Sequence, residues 1–221
     1  MAALGFVACN DDNDELTDKR VTHYATIKLD GSDRIVLDKG TEYVEAGYYG
    51  EIQGEDMTDK IVVDSDLDTS ETGVYSITYT LTNADGYSTV EERWIIVRDP
   101  GDPIPGFYYS TADSYRFAEG TTTAYGGVFE IFVYSDGDGA YFVDDLLAGW
   151  YCYRAGYGYG YAMQAFIDVE EDGTVNLLDS YVPGWGDSAD AFEGTYDYDT
   201  NTFKYVLTYA GSYDFHVTMT K

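Results

Sequence analysis

Apolar and polar residues alternate with a period of two along most of this 221-residue chain, and helical periodicity is absent nearly everywhere. Over residues 74–82, Tyr75, Ile77, Tyr79 and Leu81 share one face, while Ser76, Thr78, Thr80 and Thr82 share the other. That pattern predicts a half-buried antiparallel strand. Asn83, Ala84, Asp85 and Gly86 follow as a hairpin turn, where glycine supplies positive φ, and residues 91–97 return as the partner strand. Earlier strands are predicted at residues 24–29 and 61–63, with a weaker one at 42–45. Short strands between turns, over about 80 residues, point to a small β-sandwich.

The later half repeats the alternation. Predicted strands at 127–134 and 140–143 flank a turn at 135–139, those at 165–169 and 174–178 flank 171–173, and those at 202–209 and 213–220 flank 210–212. A meander of this kind closes as an antiparallel β-barrel or packs as a two-sheet sandwich. Only Asp144, Asp145, Leu146 and Leu147 hint at a single helical turn. Three of the four prolines, Pro100, Pro103 and Pro105, fall in one short stretch. Proline fixes φ and offers no N–H, so this stretch cannot continue a sheet. It is read as a stiff linker at 100–106, joining a domain at 23–99 to a second at 107–221. The fold class expected is all-β throughout.

Charge narrows the partners. The formal net charge is −29. Residues 10–105 carry 8 basic and 23 acidic groups, and residues 106–221 carry 4 and 18, so acidity belongs to the whole molecule. Such a field repels phosphate backbones and anionic headgroups, which argues against nucleic-acid binding and against a basic membrane patch. Simple solubility is the plainer use of the charge. No apolar run approaches the ~18 residues needed to span a bilayer as a helix.

The membrane signal lies at the start. Residues 2–8 are small or apolar, Cys9 follows, and Asn10, Asp11, Asp12, Asn13, Asp14 and Glu15 come next. This arrangement resembles the beginning of a bacterial lipoprotein, with residues 1–8 as a signal-peptide remnant, Cys9 as the lipid-bearing residue and 9–22 as an acidic tether. The acidic residues are also similar to the surface-export signal of Bacteroidetes lipoproteins. Residues 40–47 (Gly-Thr-Glu-Tyr-Val-Glu-Ala-Gly), 73–79 (Gly-Val-Tyr-Ser-Ile-Thr-Tyr) and 83–88 (Asn-Ala-Asp-Gly-Tyr-Ser) resemble the bacterial immunoglobulin-like domains of Bacteroidetes surface proteins. That resemblance spans roughly 23–98 and implies a spacer. The ending, from Gly194, Thr195 and Tyr196 through Phe203 and Tyr205 to residues 215–221, is similar to the C-terminal domain of accessory lipoproteins that accompany SusC/SusD-type importers. If Cys9 is acylated, Cys152 has no intramolecular partner and no disulfide is expected.

Aromatic residues supply the one binding hint. Of 24 tyrosines, 17 lie in residues 106–221, which marks that half as the one making contacts. Tyr151, Tyr153, Tyr157, Tyr159 and Tyr161 all occupy odd positions after Trp150, with Gly156, Gly158 and Gly160 between some of them. In an extended segment the five rings would line one face and leave the other bare. Three uses of that face compete: packing into a barrel core or loop, stacking on a sugar or other small ligand, and contact with another protein. Trp185, on a glycine-rich loop, could add a platform.

Other chemistry is thin. Asp136, Gly137, Asp138 and Gly139 lack the later bidentate carboxylate of a calcium loop and read as a turn. The acidic run after Cys9 reads as a solvated tether rather than a calcium site. With His23 and His216 the only histidines, no Ser/His/Asp or Cys/His arrangement is legible. Cys152, between tyrosines, reads as a small buried apolar residue. Beyond a covalent lipid at Cys9 no metal or cofactor is expected, weak calcium binding by Asp11 to Glu15 being the lesser alternative. The resulting expectation is a non-enzymatic outer-membrane surface lipoprotein. What the resemblance implies is an accessory subunit of a SusC/SusD-type importer, with a SusC-like transporter and a SusD-like lipoprotein as partners and an oligopeptide or glycan as ligand. Its contact residues would be Trp150, Tyr151, Tyr153, Tyr157, Tyr159, Tyr161 and Trp185. A stand-alone adhesin and an unrecognised surface hydrolase are the alternatives.

Overall fold

A computed structural model describes residues 21–221, so Cys9 and the residues around it lie outside the described part. The chain divides into two compact units. One contains the described residues up to Gly31 with Ala46–Asp64 and Thr78–Glu92; the other contains Ser32–Glu45, Ser65–Ile77 and Arg93–Lys221.

The N-terminal strands are β1 (Ala25–Leu29), β2 (Arg34–Asp38), β3 (Tyr48–Ile52), β4 (Glu55–Asp56), β5 (Val62–Ser65), β6 (Gly73–Thr82) and β7 (Ser88–Arg98). They form a three-stranded sheet, β1-β3-β4, and a four-stranded sheet, β2-β7-β6-β5. In the first unit, Ile27, Tyr79 and Leu81 are buried. Tyr48 packs on Tyr79 with ring centroids 5.0 Å apart. Gly50 fits against Ile61 and Leu81, where a Cβ would meet Ile61 Cδ1 at 2.8 Å. The predicted turn at Asn83 is real: its Oδ1 accepts from Asp85 N and Tyr87 N, and Gly86 takes φ 86°.

One N-terminal expectation changes. Residues 42–45 form no strand. Glu45 instead accepts a hydrogen bond from the fully buried Arg93 at 3.0 Å, and Tyr43 donates to Glu45 at 2.8 Å. Pairing a buried guanidinium outweighs strand propensity there. Strands flank that stretch instead: β3 follows it, and β2 precedes it and runs parallel to β7 with Ile35 opposite Ile95 and Leu37 opposite Val97.

Past residue 105 the strands are β8 (Gly106–Ser110), β9 (Tyr115–Ala118), β10 (Thr121–Ala124), β11 (Glu130–Ser135), β12 (Tyr141–Val143), β13 (Gln164–Val169), β14 (Thr174–Tyr181), β15 (Ala191–Asp197), β16 (Thr202–Tyr209) and β17 (Tyr213–Thr220). Hydrogen bonding runs β8-β11-β12-β13-β14-β15-β16-β17, and β17 returns to β8 through Met219 opposite Ser110 and Thr220 opposite Tyr109. The open choice between barrel and sandwich is thus resolved as an eight-stranded antiparallel barrel. The other half of β17 pairs with β9, to which β10 adds as a flap.

Alternation explains the barrel. Phe203, Tyr205, Leu207 and Tyr209 of β16, with Phe215, Val217 and Met219 of β17, point inward and are buried. Eight strands leave an interior just wide enough for side chains to fill. Tyrosines in this core hand their hydroxyls to backbone carbonyls. Tyr108 donates to Ile104 O at 2.7 Å, Tyr125 to Leu147 O at 2.9 Å and Tyr205 to Leu146 O at 2.7 Å. Burial raises the pKa of all three phenols, so they stay neutral donors.

Candidate functional site

The connection from β12 to β13, residues 144–163, builds the site. Asp145 is its anchor. It is buried and accepts from Leu147 N, Gly149 N, Met163 N and Cys152 Sγ at 3.0, 2.8, 3.0 and 3.2 Å. One short carboxylate therefore ties both ends of the connection together. Gly149 enters the left-handed region at φ 85°, and Trp150–Arg154 then form one turn of π-helix. Tyr159–Tyr161 form a short 3₁₀ turn.

The expected extended segment is therefore not present. Gly156 and Gly158 also take positive φ, at 74° and 88°, and Tyr157 N and Gly158 N bond back to the carbonyls of Tyr151 and Cys152. Glycine at these positions permits a coiled path that a β-strand excludes. The five odd-numbered tyrosines are accordingly sorted into three places instead of one face.

Trp150 is a core residue, only 2% exposed, and this corrects its reading as a contact residue. Its ring packs on Tyr125 and Phe215, with Arg154 and Arg116 over it at 4.2 and 4.8 Å. Tyr153 is exposed and stacks on Phe129 at 5.8 Å. Tyr159 has an exposed ring, but its hydroxyl donates to Asp144 at 2.6 Å. Tyr151, Tyr157 and Tyr161 do come together, around Trp185.

Trp185 sits on the turn after β14. Its N–H and that of Gly186 bond to Val182 O, and Gly184 N bonds to Gly160 O at 2.7 Å. Those bonds fix the tryptophan against the tyrosine connection. Tyr151 is buried and packs edge-on against Trp185 at 4.7 Å. Tyr157 and Tyr161 meet Trp185 at 6.0 and 4.8 Å, with interplanar angles of 88° and 61°. Tyr157 and Tyr161 meet each other at 5.5 Å and 67°. These three rings line a recess of about 370 Å³. Tyr157 is 55% exposed and Trp185 43%, so the rings are open to a ligand.

Sequence reading missed Tyr209 and Asp187 in this cluster. The Tyr209 hydroxyl donates to Asp187 at 2.6 Å, bracing the Trp185 loop against β16. Inward alternation along β16 placed Tyr209 in the core, and nothing local linked it to residue 187.

A second recess, about 530 Å³, lies wholly within the second unit and includes Phe132, Tyr134, Phe142, Asp144, Tyr159 and Gln164 among its lining. At its rim Arg34 forks onto Glu130 at 2.7 and 2.9 Å. Asp144 also accepts from Phe132 N at 2.8 Å. Burial lifts its pKa to about 7, against the opposing pull of the Tyr159 hydroxyl and the Phe132 N–H. Cys152 is a buried free thiol whose pKa is pushed up by burial and by Asp145 beside it. Asp136 spends its carboxylate on Asp138 N and Ala140 N, closing the β11–β12 turn.

Comparison with known proteins places both halves. A family model for a bacterial surface protein Ig-like domain matches residues 27–97, and one for a C-terminal domain matches 97–221. The crystal structure of the lipoprotein BT2262 from Bacteroides thetaiotaomicron is 35% identical, covers 90% of this chain and 100% of its own, and superposes with a TM-score of 0.78. Two structures of domains of Clostridium perfringens ZmpB, 13% and 14% identical, cover 88% and 89% of this chain and 43% and 21% of their own. Their TM-scores of 0.28 and 0.29 carry no argument. No curated protein matches the chain.

Proposed function

The chain belongs to the family of the Bacteroides thetaiotaomicron lipoprotein BT2262, a surface lipoprotein type with an Ig-like domain, and on that premise we propose that it is a non-catalytic binding subunit of an outer-membrane uptake system. In this reading Cys9 carries the lipid, the Ig-like domain spaces the body from the membrane, and the barrel presents the contact surface. The partners are a SusC-like transporter and a SusD-like lipoprotein, and the cargo is an oligopeptide or glycan. The carrying observation is the open cluster of Tyr157, Tyr161 and Trp185 on a barrel whose own interior is filled. Aromatic rings left exposed together and fixed in place by backbone bonds are a means of contact.

Extraction of native membranes in a mild detergent, with a tag on this chain, tests the assembly. Co-purification of a large outer-membrane barrel is expected, and recovery of the chain alone overturns the assembly. Mass spectrometry of the same sample reads the Cys9 lipid, and an unmodified amino-terminal region overturns the anchor.

A further inference from the structure

We propose that Tyr157, Tyr161 and Trp185 form an aromatic cage for a cationic group, so that the ligand of this site is a peptide bearing a lysine or arginine side chain. The proposal rests on the binding role above and names its ligand class.

Ring geometry argues first. A pyranose stacks on one flat, exposed ring face. Here the three rings stand at 61°, 67° and 88° to one another and enclose a corner rather than a platform. Ring faces carry negative potential, and several faces turned toward one small volume hold an ammonium or guanidinium. The recess, about 370 Å³, has room for one such side chain.

Charge argues second. Residues 106–221 carry 18 acidic and 4 basic groups. Two of the four bases are committed elsewhere: Arg154 lies over Trp150, and Lys221 donates to the carbonyls of Pro103 and Pro105. The one base beside the cluster, Arg116, is already held over the rings of Trp150 and Tyr213 and hydrogen-bonded to Tyr151. Asp187 and Asp190 follow Trp185 along the same loop. A cationic ligand is thus drawn by the field of the domain, and an anionic one is repelled.

Rigidity argues third. The buried Tyr151 ring braces Trp185, and the Gly184 N–H to Gly160 O bond locks the two ring-bearing segments together. A cage assembled before binding loses little ordering entropy when it closes on a ligand.

The test follows the Trp185 indole N–H signal by NMR in the full chain, made soluble by Cys9→Ser. The probes are a capped Gly-Gly-Lys-Gly-Gly peptide, the same peptide with acetylated lysine, and maltohexaose. The lysine peptide is expected to shift the signal at a concentration about tenfold lower than its acetylated twin. Tyr157→Leu should weaken lysine-peptide binding about tenfold, while Tyr157→Phe retains it. Equal responses to the two peptides, no response to either, tighter binding of maltohexaose, or indifference to Tyr157→Leu overturns the cage. Since this titration needs no transporter, its result stands apart from the co-purification above.

Discussion

The hydroxyl of Tyr159 donates to Oδ2 of Asp144 at 2.6 Å, and this bond pins the second half of the 144–163 connection to the barrel wall beside Phe132. Asp144 is buried, so its second acceptor has few alternatives to that donor. Tyr159→Phe should destabilise the fold by about 1–3 kcal/mol, the cost of leaving a buried acceptor short of a partner. Denaturant unfolding of the variant checks this. Tyr157→Phe serves as the reference, and its change should stay within about 0.5 kcal/mol.

Gly149 and Gly156 separate two kinds of glycine requirement. Both take positive φ, at 85° and 74°. A Cβ on Gly149 would overlap Cβ and Cγ of Phe129, whereas one on Gly156 meets nothing within 4 Å. Gly156→Ala should therefore cost about 1 kcal/mol, from backbone strain alone. Gly149→Ala should cost at least about 2 kcal/mol more, since the overlap displaces Phe129 from under Tyr153 and disturbs the Gly149 N–H bond to Asp145. Thermal unfolding of the pair is the measurement, and equal melting temperatures would refute the steric argument.

Cys152 is buried and donates to Asp145 at 3.2 Å. Burial and the neighbouring carboxylate both disfavour the thiolate, which is the reactive form. In a Cys9→Ser chain at pH 8, Cys152 should resist iodoacetamide while folded and react once the chain is denatured. Rapid labelling of the native protein would show that the 144–163 connection opens far more readily than its bonding indicates.

Much of the fold was legible because period-two alternation survives wherever one strand face is buried and the other wet. It located β6, β7, β16 and β17 to within a few residues. It failed at β2, whose residues are all partly exposed, and at 42–45, where Glu45 answers to Arg93 from far along the chain. Ring parity failed for a different reason. Parity has meaning only on an extended backbone, and the glycines that seemed to bare one face are the residues that coil the segment. Even so, Tyr151, Tyr157, Tyr161 and Trp185 meet, because Asp145 and the Gly160–Gly184 bond draw their segments together. Such long-range anchors leave no trace in local spacing.

Asp144 also sets a pH dependence of stability. Its pKa rises from the ordinary 3.8 to about 7 in the folded state, chiefly through burial, and burial raises that of Asp145 as well. Between these limits the folded chain holds a proton at Asp144 that the unfolded chain has released. Stability from this source is complete below about pH 4 and falls as pH rises toward and through 7. The slope is at most about 1.4 kcal/mol per pH unit for one such group. Exposed carboxylates with lowered pKa, such as Asp56 and Asp172, act in the opposite sense but below pH 4, outside this window. Unfolding free energy measured from pH 5 to 8 should therefore decline in the wild type and run flatter in Asp144→Asn, which has no titrating proton and, with its carbonyl oxygen kept for Phe132 N–H, donates its amide N–H to the Tyr159 oxygen instead. Identical slopes in the two proteins would mean that Asp144 is ionised throughout and that water reaches it.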